Sequence, residues 1–150
     1  LATPNIGTIN DMICCPGGDY CSLANAKSIP VAEAIQRKFD DLDYVYDLGD
    51  LELNISGCMN ACGHHHIGHI GILGVDKKGE EWYQIQIGGS KDAALAKVLG
   101  PSLSREAVTD SIEKLLDVYV ENRLEGETFL AAYKRIGIDK FKERVYAPTA

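Results

Sequence analysis

The sequence predicts an α+β fold in which a mixed or antiparallel sheet packs against helices and the chain ends in a helical tail. Three observations support this fold. Two apolar segments, residues 67–75 and 82–87, flank the polar run DKKGEE and indicate an antiparallel hairpin. Residues 51–55 alternate between apolar and polar, which is typical of a half-buried strand. Beyond residue 104, apolar residues recur at helical spacing.

The N-terminal half supplies the remaining strand and one helix. Ile and Thr in residues 5–13 predict a short strand. Residues 22–40 are predicted to be helical, in one piece or two, with Pro30 in a first turn. The acidic run over residues 40–52 is interpreted as a solvated face.

The C-terminal third predicts two helices. Ser104 is a predicted N-cap for a long amphipathic helix, which Gly126 would end. The apolar face of this helix consists of Val108, Ile112, Leu115, Leu116 and Tyr119. A second, shorter helix would end at Gly137. We therefore expect a sheet domain over residues 1–100 and a helical extension over residues 101–150 that packs on it as one structural unit.

Composition limits the class of protein. A chain of 150 residues, 45% hydrophobic and 25% charged, is long enough to bury a core. It contains no apolar run of membrane-spanning length, and it opens without a Met or a basic leader, which predicts a start inside a longer protein. An odd count of five cysteines favours reduced thiols in the cytoplasm over a disulfide framework.

The charge distribution excludes two classes of partner. A net charge of -7 disfavours binding to nucleic acid or to an anionic membrane, because both require basic surfaces. No Lys or Arg occurs in residues 1–26 or 39–76, the two stretches that contain every cysteine. If this part of the chain handles an anion, the positive charge must come from elsewhere.

Four of the five cysteines form two pairs. Cys15 and Cys21 are separated by five residues, and Cys58 and Cys62 by three, with 36 residues between the pairs. Gly and Pro beside them allow the backbone to curl tightly. This arrangement suits one inorganic centre held by two loops that are distant in sequence and adjacent in space.

The spacing leaves three alternatives open. A [4Fe–4S] cluster takes four thiolates and is the favoured interpretation. Zinc also accepts four thiolates, but structural zinc sites usually use pairs separated by two residues, and neither pair has that spacing. Buried cysteines also occur as small apolar residues in a core. Cys14 is predicted to be a packed neighbour of Cys15 and not a fifth ligand.

The segments CCPGGDYCSLA, GCMNACGHHHIGHIGILG and YQIQIGG resemble the C-terminal part of the siroheme-dependent nitrite and sulfite reductases. The resemblance is strong over residues 11–89 and extends to residue 146 in general pattern. It implies the fold of that C-terminal part, with a [4Fe–4S] cluster and siroheme as cofactors. It also implies the six-electron reduction of sulfite to sulfide or of nitrite to ammonia, with a preference for the bacterial sulfite type.

The resemblance implies a role for each matching residue. Cys15, Cys21 and Cys58 would bind the cluster, and Cys62 would bind both the cluster and the siroheme iron. Asn60 would lie against the siroheme. No catalytic residue is assigned within the 150 residues, because the family's anion-binding and proton-donating Arg and Lys residues lie in an N-terminal portion. The implied partners are that portion, a ferredoxin or flavoprotein reductase as electron donor, and sulfite or nitrite.

The second cysteine loop also contains all four histidines of the chain: His64, His65, His66 and His69. Consecutive histidines point in different directions and cannot all reach one ion, so we expect contacts with siroheme carboxylates or with neighbouring loops. Two other functions are compatible with the same cysteines. One is an electron-transfer or iron–sulfur module without siroheme, and the other is a structural zinc domain.

Overall fold

Five strands form one mixed sheet whose strand order follows the chain. The strands are β1 (Ile13–Cys14), β2 (Leu53–Ser56), β3 (Ile70–Lys77), β4 (Glu80–Ile87) and β5 (Lys97–Val98). The first three strands are parallel, and the pairs β3–β4 and β4–β5 are antiparallel. The structure is a computed structural model that describes residues 6–92 and 94–148, with the backbone alone at Leu42.

Five α-helices accompany the sheet in the described part of the chain. They are α1 (Ile29–Lys38), α2 (Leu42–Leu48), α3 (Arg105–Asn122), α4 (Phe129–Ile136) and α5 (Ile138–Tyr146). The predicted α+β class is confirmed. None of the described helices has the length and apolar character that crossing a bilayer requires. The division at residue 100 stays a prediction, although residues on both sides of it contribute to one hydrophobic core.

The two faces of the sheet differ in character. Register places Leu53 and Ile55 beside Ile70 and Ile72, and these beside Ile87 and Ile85, on one apolar face. This face belongs to the same core as the buried residues of α1 and α3. The opposite face is more polar: it contains Asn54, Ser56, Gln84 and Gln86, together with Gly71, Leu73, Val75 and Trp82. The helices therefore cover the apolar face and leave the polar face to a loop.

The predicted hairpin and the main helix are confirmed. Strands β3 and β4 pair from Ile70 with Ile87 to Lys77 with Glu80. The connecting residues Lys78 and Gly79 have φ values of 57° and 81°, the left-handed conformation that tight hairpins use. The Ser104 side chain accepts a hydrogen bond from the N–H of Ala107 at 3.3 Å and so caps α3, as predicted.

The predicted strand over residues 5–13 is wrong for most of its length. Asn5 lies outside the described residues, and residues 6–11 form turns before the two-residue strand β1. Gly7 has a φ of 76°, and its N–H donates to the Asp11 carboxylate at 3.0 Å. A left-handed glycine closed by an aspartate stabilises a turn more than an extended chain.

Two helices differ from the sequence-based expectation. The predicted helix over 22–40 begins only at Ile29, with Pro30 in its first turn, because the preceding backbone pairs with the second cysteine loop. The acidic run over 40–52 was predicted to be a solvated face, and this is true only in part, because it contains α2, whose Val45 and Leu48 are fully buried. The long helix α3 ends at Asn122, before the predicted stop at Gly126, whereas α4 ends at Gly137 as predicted.

Candidate metal centre

The first cysteine loop begins where β1 ends. The backbone N–H of Cys15 donates to the carbonyl of Ile55 at 3.1 Å and so extends the pairing of β1 with β2. Gly17 then turns the chain with a φ of 62°. Its carbonyl accepts hydrogen bonds from the N–H groups of Tyr20 and Cys21, at 3.1 and 2.9 Å. This single turn brings Cys21 back to the side of the loop where Cys15 lies.

The second cysteine loop follows β2 and covers the polar face of the sheet. Two non-glycine residues in it, Ala61 and His64, have positive φ values of 58° and 54°. Two hydrogen bonds join the loop to β2. The Gly63 N–H donates to Ser56 Oγ at 3.1 Å, and the Asn54 side chain donates to the His64 carbonyl at 3.0 Å. These bonds use the polar residues that alternate with the apolar core residues of β2.

Gly57 joins the two loops. Its carbonyl accepts the N–H groups of Asn25 and Ala26, at 2.9 and 3.1 Å. Its own N–H donates to the Cys15 sulfur at 3.0 Å. A Cβ atom at this position would lie 2.8 Å from the Ala26 carbonyl oxygen and 3.1 Å from the Gly17 Cα. Only glycine therefore allows the backbones to approach closely enough for these bonds.

The four paired cysteines line one cavity of about 80 Å³. Its other lining residues are Pro16, Gly17, Leu23, Ala24, Gly57 and Asn60. The volume is several times the roughly 10–15 Å³ that one water molecule needs. Cys58 is buried, Cys15 and Cys21 are half-buried, and Cys62 is exposed, which puts the Cys62 thiol nearest to solvent. The structure thus brings together the four predicted ligands and Asn60.

The thiols surround the cavity without converging on one point. Among the described residues, no three His, Cys, Asp or Glu side chains are close enough together to hold a single metal ion. A zinc ion with bonds of about 2.3 Å in a tetrahedron needs its sulfur ligands about 3.8 Å apart. A cubane cluster binds each thiolate at a separate iron, so its ligands are spread more widely. Four thiols that line one cavity are a donor set that fits the cluster.

Cys14 does not line this cavity. It is half-buried, packs against the hydrophobic core, and its sulfur donates to the Cys15 carbonyl at 3.2 Å. Burial raises the pKa of the Cys14 thiol, while the nearby Ser28 hydroxyl acts in the opposite direction. The thiol therefore retains its proton at neutral pH, in agreement with the predicted role of Cys14 as a packed neighbour.

The histidines have separate environments. His64 is exposed, and His65 is buried with no hydrogen-bond partner for Nδ1 among the described residues. His69 Nδ1 accepts the N–H of Glu52 at 3.1 Å. Burial lowers the pKa of His65 and of His69; His66 adds to the first shift, whereas Glu52 opposes the second. Both imidazoles are therefore neutral near pH 7, and they serve as packed residues of the loop.

The cavity has no basic side chain in its described lining. Lys27, at the end of the first loop, forms an ion pair of 2.9 Å with Asp19. Lys91 forms one of 2.9 Å with Glu52. These two cations are already matched by carboxylates, so they add little positive charge for an anion at the cavity.

Sequence reasoning missed two groups beside Cys15. They are the Gly57 N–H and the Ser28 hydroxyl, which lies 3.5 Å from the Cys15 sulfur. Backbone donors carry no residue-specific signal, and Ser28 precedes Pro30 in the pattern of an ordinary helix cap. Only the folded loops reveal either contact.

A family model described as "Nitrite and sulphite reductase 4Fe-4S domain" matches residues 7–149. The chain belongs to this family. The nitrite and sulphite reductase 4Fe-4S domain therefore accounts for both cysteine loops and for the helices that follow them.

Known relatives agree with this assignment. The sulfite reductase [NADPH] hemoprotein beta-component of Bacillus velezensis is 30% identical over 123 residues, which are 80% of this chain and 21% of that protein. The sulfite reductase [ferredoxin] of Mycobacterium tuberculosis is 28% identical over 131 residues, with 79% and 23% covered. The chain thus spans about a fifth of the length of the curated relatives that it matches.

Two solved structures share the architecture. The NirA protein of Mycobacterium tuberculosis has a TM-score of 0.72 and 26% identity, covering 87% of this chain and 26% of its own. Dissimilatory sulfite reductase I has a TM-score of 0.75 at 13% identity, covering 91% of this chain and 52% of its own, and so shows the fold alone. Both support the mixed sheet with packed helices as a family fold.

Proposed function

We propose that this chain is the cluster- and siroheme-binding part of a reductase that converts sulfite to sulfide, or nitrite to ammonia. The single observation that supports this most strongly is the cavity shared by Cys15, Cys21, Cys58 and Cys62. In this proposal all four thiolates hold a [4Fe–4S] cluster, and Cys62 also binds the siroheme iron. When bound, siroheme would supply an iron for the anion and the cluster would supply the electrons, with the Cys62 thiolate held between the two groups.

The residues of the two loops match what a cluster requires. The Gly57 N–H already points at the Cys15 sulfur at 3.0 Å, the kind of bond that stabilises a thiolate ligand. Apart from Asn60, the described lining of the cavity has no polar side chain that would compete with the four sulfurs for iron. A mononuclear zinc site is disfavoured, because the ligands do not converge on one point.

The exposed residues around Cys62 support siroheme binding. Cys62 and Asn60 are both exposed, and Met59 between the last two cysteines is 82% exposed. Tyr20 and Leu23, at 80% and 70%, are exposed on the first loop. A macrocycle with apolar faces and a carboxylate rim suits a surface that combines exposed apolar side chains with a free thiol. We place Asn60 against this macrocycle.

We also propose partners that supply positive charge and electrons to the site. An anionic substrate and an anionic macrocycle require Arg and Lys, which we assign to an N-terminal portion of the same enzyme. Relatives named as NADPH and ferredoxin sulfite reductases indicate a flavoprotein reductase or a ferredoxin as electron donor. We also propose a cytoplasmic location, because an odd count of five cysteines favours reduced thiols over a disulfide framework.

Replacement of single cysteines tests the proposal. Cys15→Ser, Cys21→Ser, Cys58→Ser and Cys62→Ser, each in the intact protein, should lose iron and acid-labile sulfide. Cys62→Ser should also lose the red absorption band of a bound chlorin-type macrocycle. Cys14→Ser is the matched control and should retain wild-type iron content. Equal loss of iron in Cys14→Ser and the other variants would contradict the ligand assignment.

A further inference from the structure

Ser28 lies at the N-cap of α1, yet its hydroxyl does not cap the helix. Serine at this position ordinarily accepts a hydrogen bond from an N–H in the first turn. Here the fully buried side chain turns toward the first cysteine loop. Its Oγ lies 2.7 Å from the Cys15 carbonyl oxygen and 3.5 Å from the Cys15 sulfur. The hydroxyl therefore contacts a proposed cluster ligand and does not cap the helix.

The surroundings of this hydroxyl restrict what it can contact. Gly17 lies directly above it, since a Cβ atom at Gly17 would be 2.1 Å from Ser28 Oγ. A hydroxyl has one proton to donate, and the Cys15 carbonyl is its nearest acceptor. That carbonyl also accepts a hydrogen bond from the Cys14 sulfur at 3.2 Å. The Ser28 hydroxyl can therefore turn away from the Cys15 carbonyl, because that buried acceptor keeps its hydrogen bond from Cys14.

We propose that Ser28 raises the reduction potential of the cluster by donating a hydrogen bond from its hydroxyl group to the Cys15 thiolate. This inference rests on the proposed function, because it requires Cys15 to be a cluster ligand. Each electron that enters the cluster adds negative charge, part of which resides on the thiolate ligands. A donor at the sulfur stabilises that added charge, so Ser28 favours the reduced state. The Gly57 N–H acts on the same sulfur from a fixed position, whereas the Ser28 hydroxyl rotates toward it when its charge increases.

The test is a redox titration of the intact, cofactor-loaded protein, monitored by the EPR signal of the reduced cluster. In Ser28→Ala the ratio of reduced to oxidised cluster at a fixed potential should fall about threefold to tenfold, a midpoint lowered by about 30–60 mV for a one-electron couple. Ser28→Thr retains a hydroxyl and should keep the wild-type midpoint.

Ser56→Ala is the matched control. Ser56 is also buried, and its hydroxyl accepts the Gly63 N–H, but no hydrogen bond joins it to a cysteine sulfur among the described residues. Its loss should weaken the second loop and leave the midpoint unchanged. Equal shifts in Ser28→Ala and Ser56→Ala, a shift in Ser28→Thr as large as in Ser28→Ala, or an unchanged midpoint in Ser28→Ala would overturn the inference.

Two further outcomes are separated by iron analysis. If Ser28→Ala takes up no iron while Ser56→Ala does, Ser28 serves assembly of the site, and its tuning role is rejected. If the wild-type protein itself contains no cluster, the proposed function fails, and this inference fails with it. A loaded wild type with an unchanged Ser28→Ala midpoint rejects only the tuning role.

Discussion

At the scale of single residues, the centre depends on positions where only one side chain, or none, fits. Gly57 and Gly17 lie where the two loops approach each other, and a Cβ atom at either would overlap a neighbour. Ser28 fills the space beneath Gly17. Substitutions here disturb the arrangement of the thiols without touching a cysteine.

Gly17→Ala should destabilise the fold and prevent iron binding. The new methyl group would lie 2.5 Å from the Ser28 backbone nitrogen as well as close to its hydroxyl, and the φ of 62° adds strain. Gly7→Ala is the control, because Gly7 has a φ of 76° but no atom within 4 Å of the added methyl group. We expect Gly7→Ala to lower the free energy of unfolding by about 1 kcal/mol and retain iron. Urea denaturation and iron analysis should show a larger loss in Gly17→Ala; equal losses would contradict the packing argument.

Acid should weaken the iron-free chain through its buried histidines. Burial lowers the native pKa of His65 and His69, so near the unfolded-state pKa of about 6.5 the unfolded state binds more protons. Their contribution is complete above that value and is lost as the pH falls toward the lower native pKa. The double variant His65→Gln/His69→Gln should lose less stability than wild type between about pH 7.5 and 5.5 in urea titrations. His64→Gln, at an exposed position, should retain the wild-type dependence, and an identical slope in all three proteins would refute this prediction.

At the scale of elements, local sequence predicts some parts well and others poorly. The β3–β4 hairpin and α3 follow from periodic apolar residues and from Ser104, all of which act within a few residues. Strand β1 could not be located, because its two residues are extended only through pairing with β2, some 40 positions later. The sequence did not reveal helix α2 because acidic residues dominate the run; among the side chains of this helix that the structure describes, Val45 and Leu48 are the fully buried ones.

The same distinction applies to the candidate site. Cysteine spacing identified all four cysteines that line the cavity, because the residue type and its spacing can be read directly from the sequence. The donors at the Cys15 sulfur were not found, since the Gly57 N–H and the Ser28 hydroxyl become neighbours of that sulfur only when distant segments pack. Tertiary contacts of this kind leave no local pattern.

The helix α2 offers a direct test of its cap. The Asp41 carboxylate accepts the N–H of Asp43 at 3.1 Å and of Tyr44 at 3.4 Å. Asp41→Ala should lower the free energy of unfolding by about 1 kcal/mol, because two N–H groups lose their acceptor. Asp40→Ala changes the same charge at an exposed neighbouring position and should cost less than about 0.5 kcal/mol. Urea denaturation of both variants distinguishes a capping effect from a change in net charge; similar costs would exclude the cap.

At the scale of the whole molecule, the four proposed metal ligands lie in a chain that offers no positive charge beside them. Its net charge is -7, and the described lining of the cavity contains no Lys or Arg. The apolar face of the sheet is filled by helices, whereas the cysteine loops on the other side present exposed Tyr20, Leu23 and Met59. If the chain performs the proposed function, we expect the cations that bind the anion to come from residues outside it.

These 150 residues alone should reduce neither sulfite nor nitrite, even when reconstituted with both cofactors. An anion needs fixed cations for binding and donors for the protons consumed as its bonds break. Lys27 and Lys91 are paired with Asp19 and Glu52, and the buried histidines are neutral. A steady-state assay with reduced methyl viologen measures this, with the intact enzyme as the control. Turnover comparable to the intact enzyme would show that the basic residues are not required.

The hydrogen bonds at Gly57 also determine when, during synthesis of the chain, the first cysteine loop can adopt its folded conformation. A ribosome completes Cys15 and Cys21 before residues 53–57 exist, and the first loop then has neither β2 beside it nor the Gly57 carbonyl to hold Asn25 and Ala26. A nascent chain halted after residue 52 should accordingly be purified without iron. In the proposed function, the four thiols can bind a cluster together only after the second loop has left the ribosome, and until then Cys15 and Cys21 lack the other two ligands.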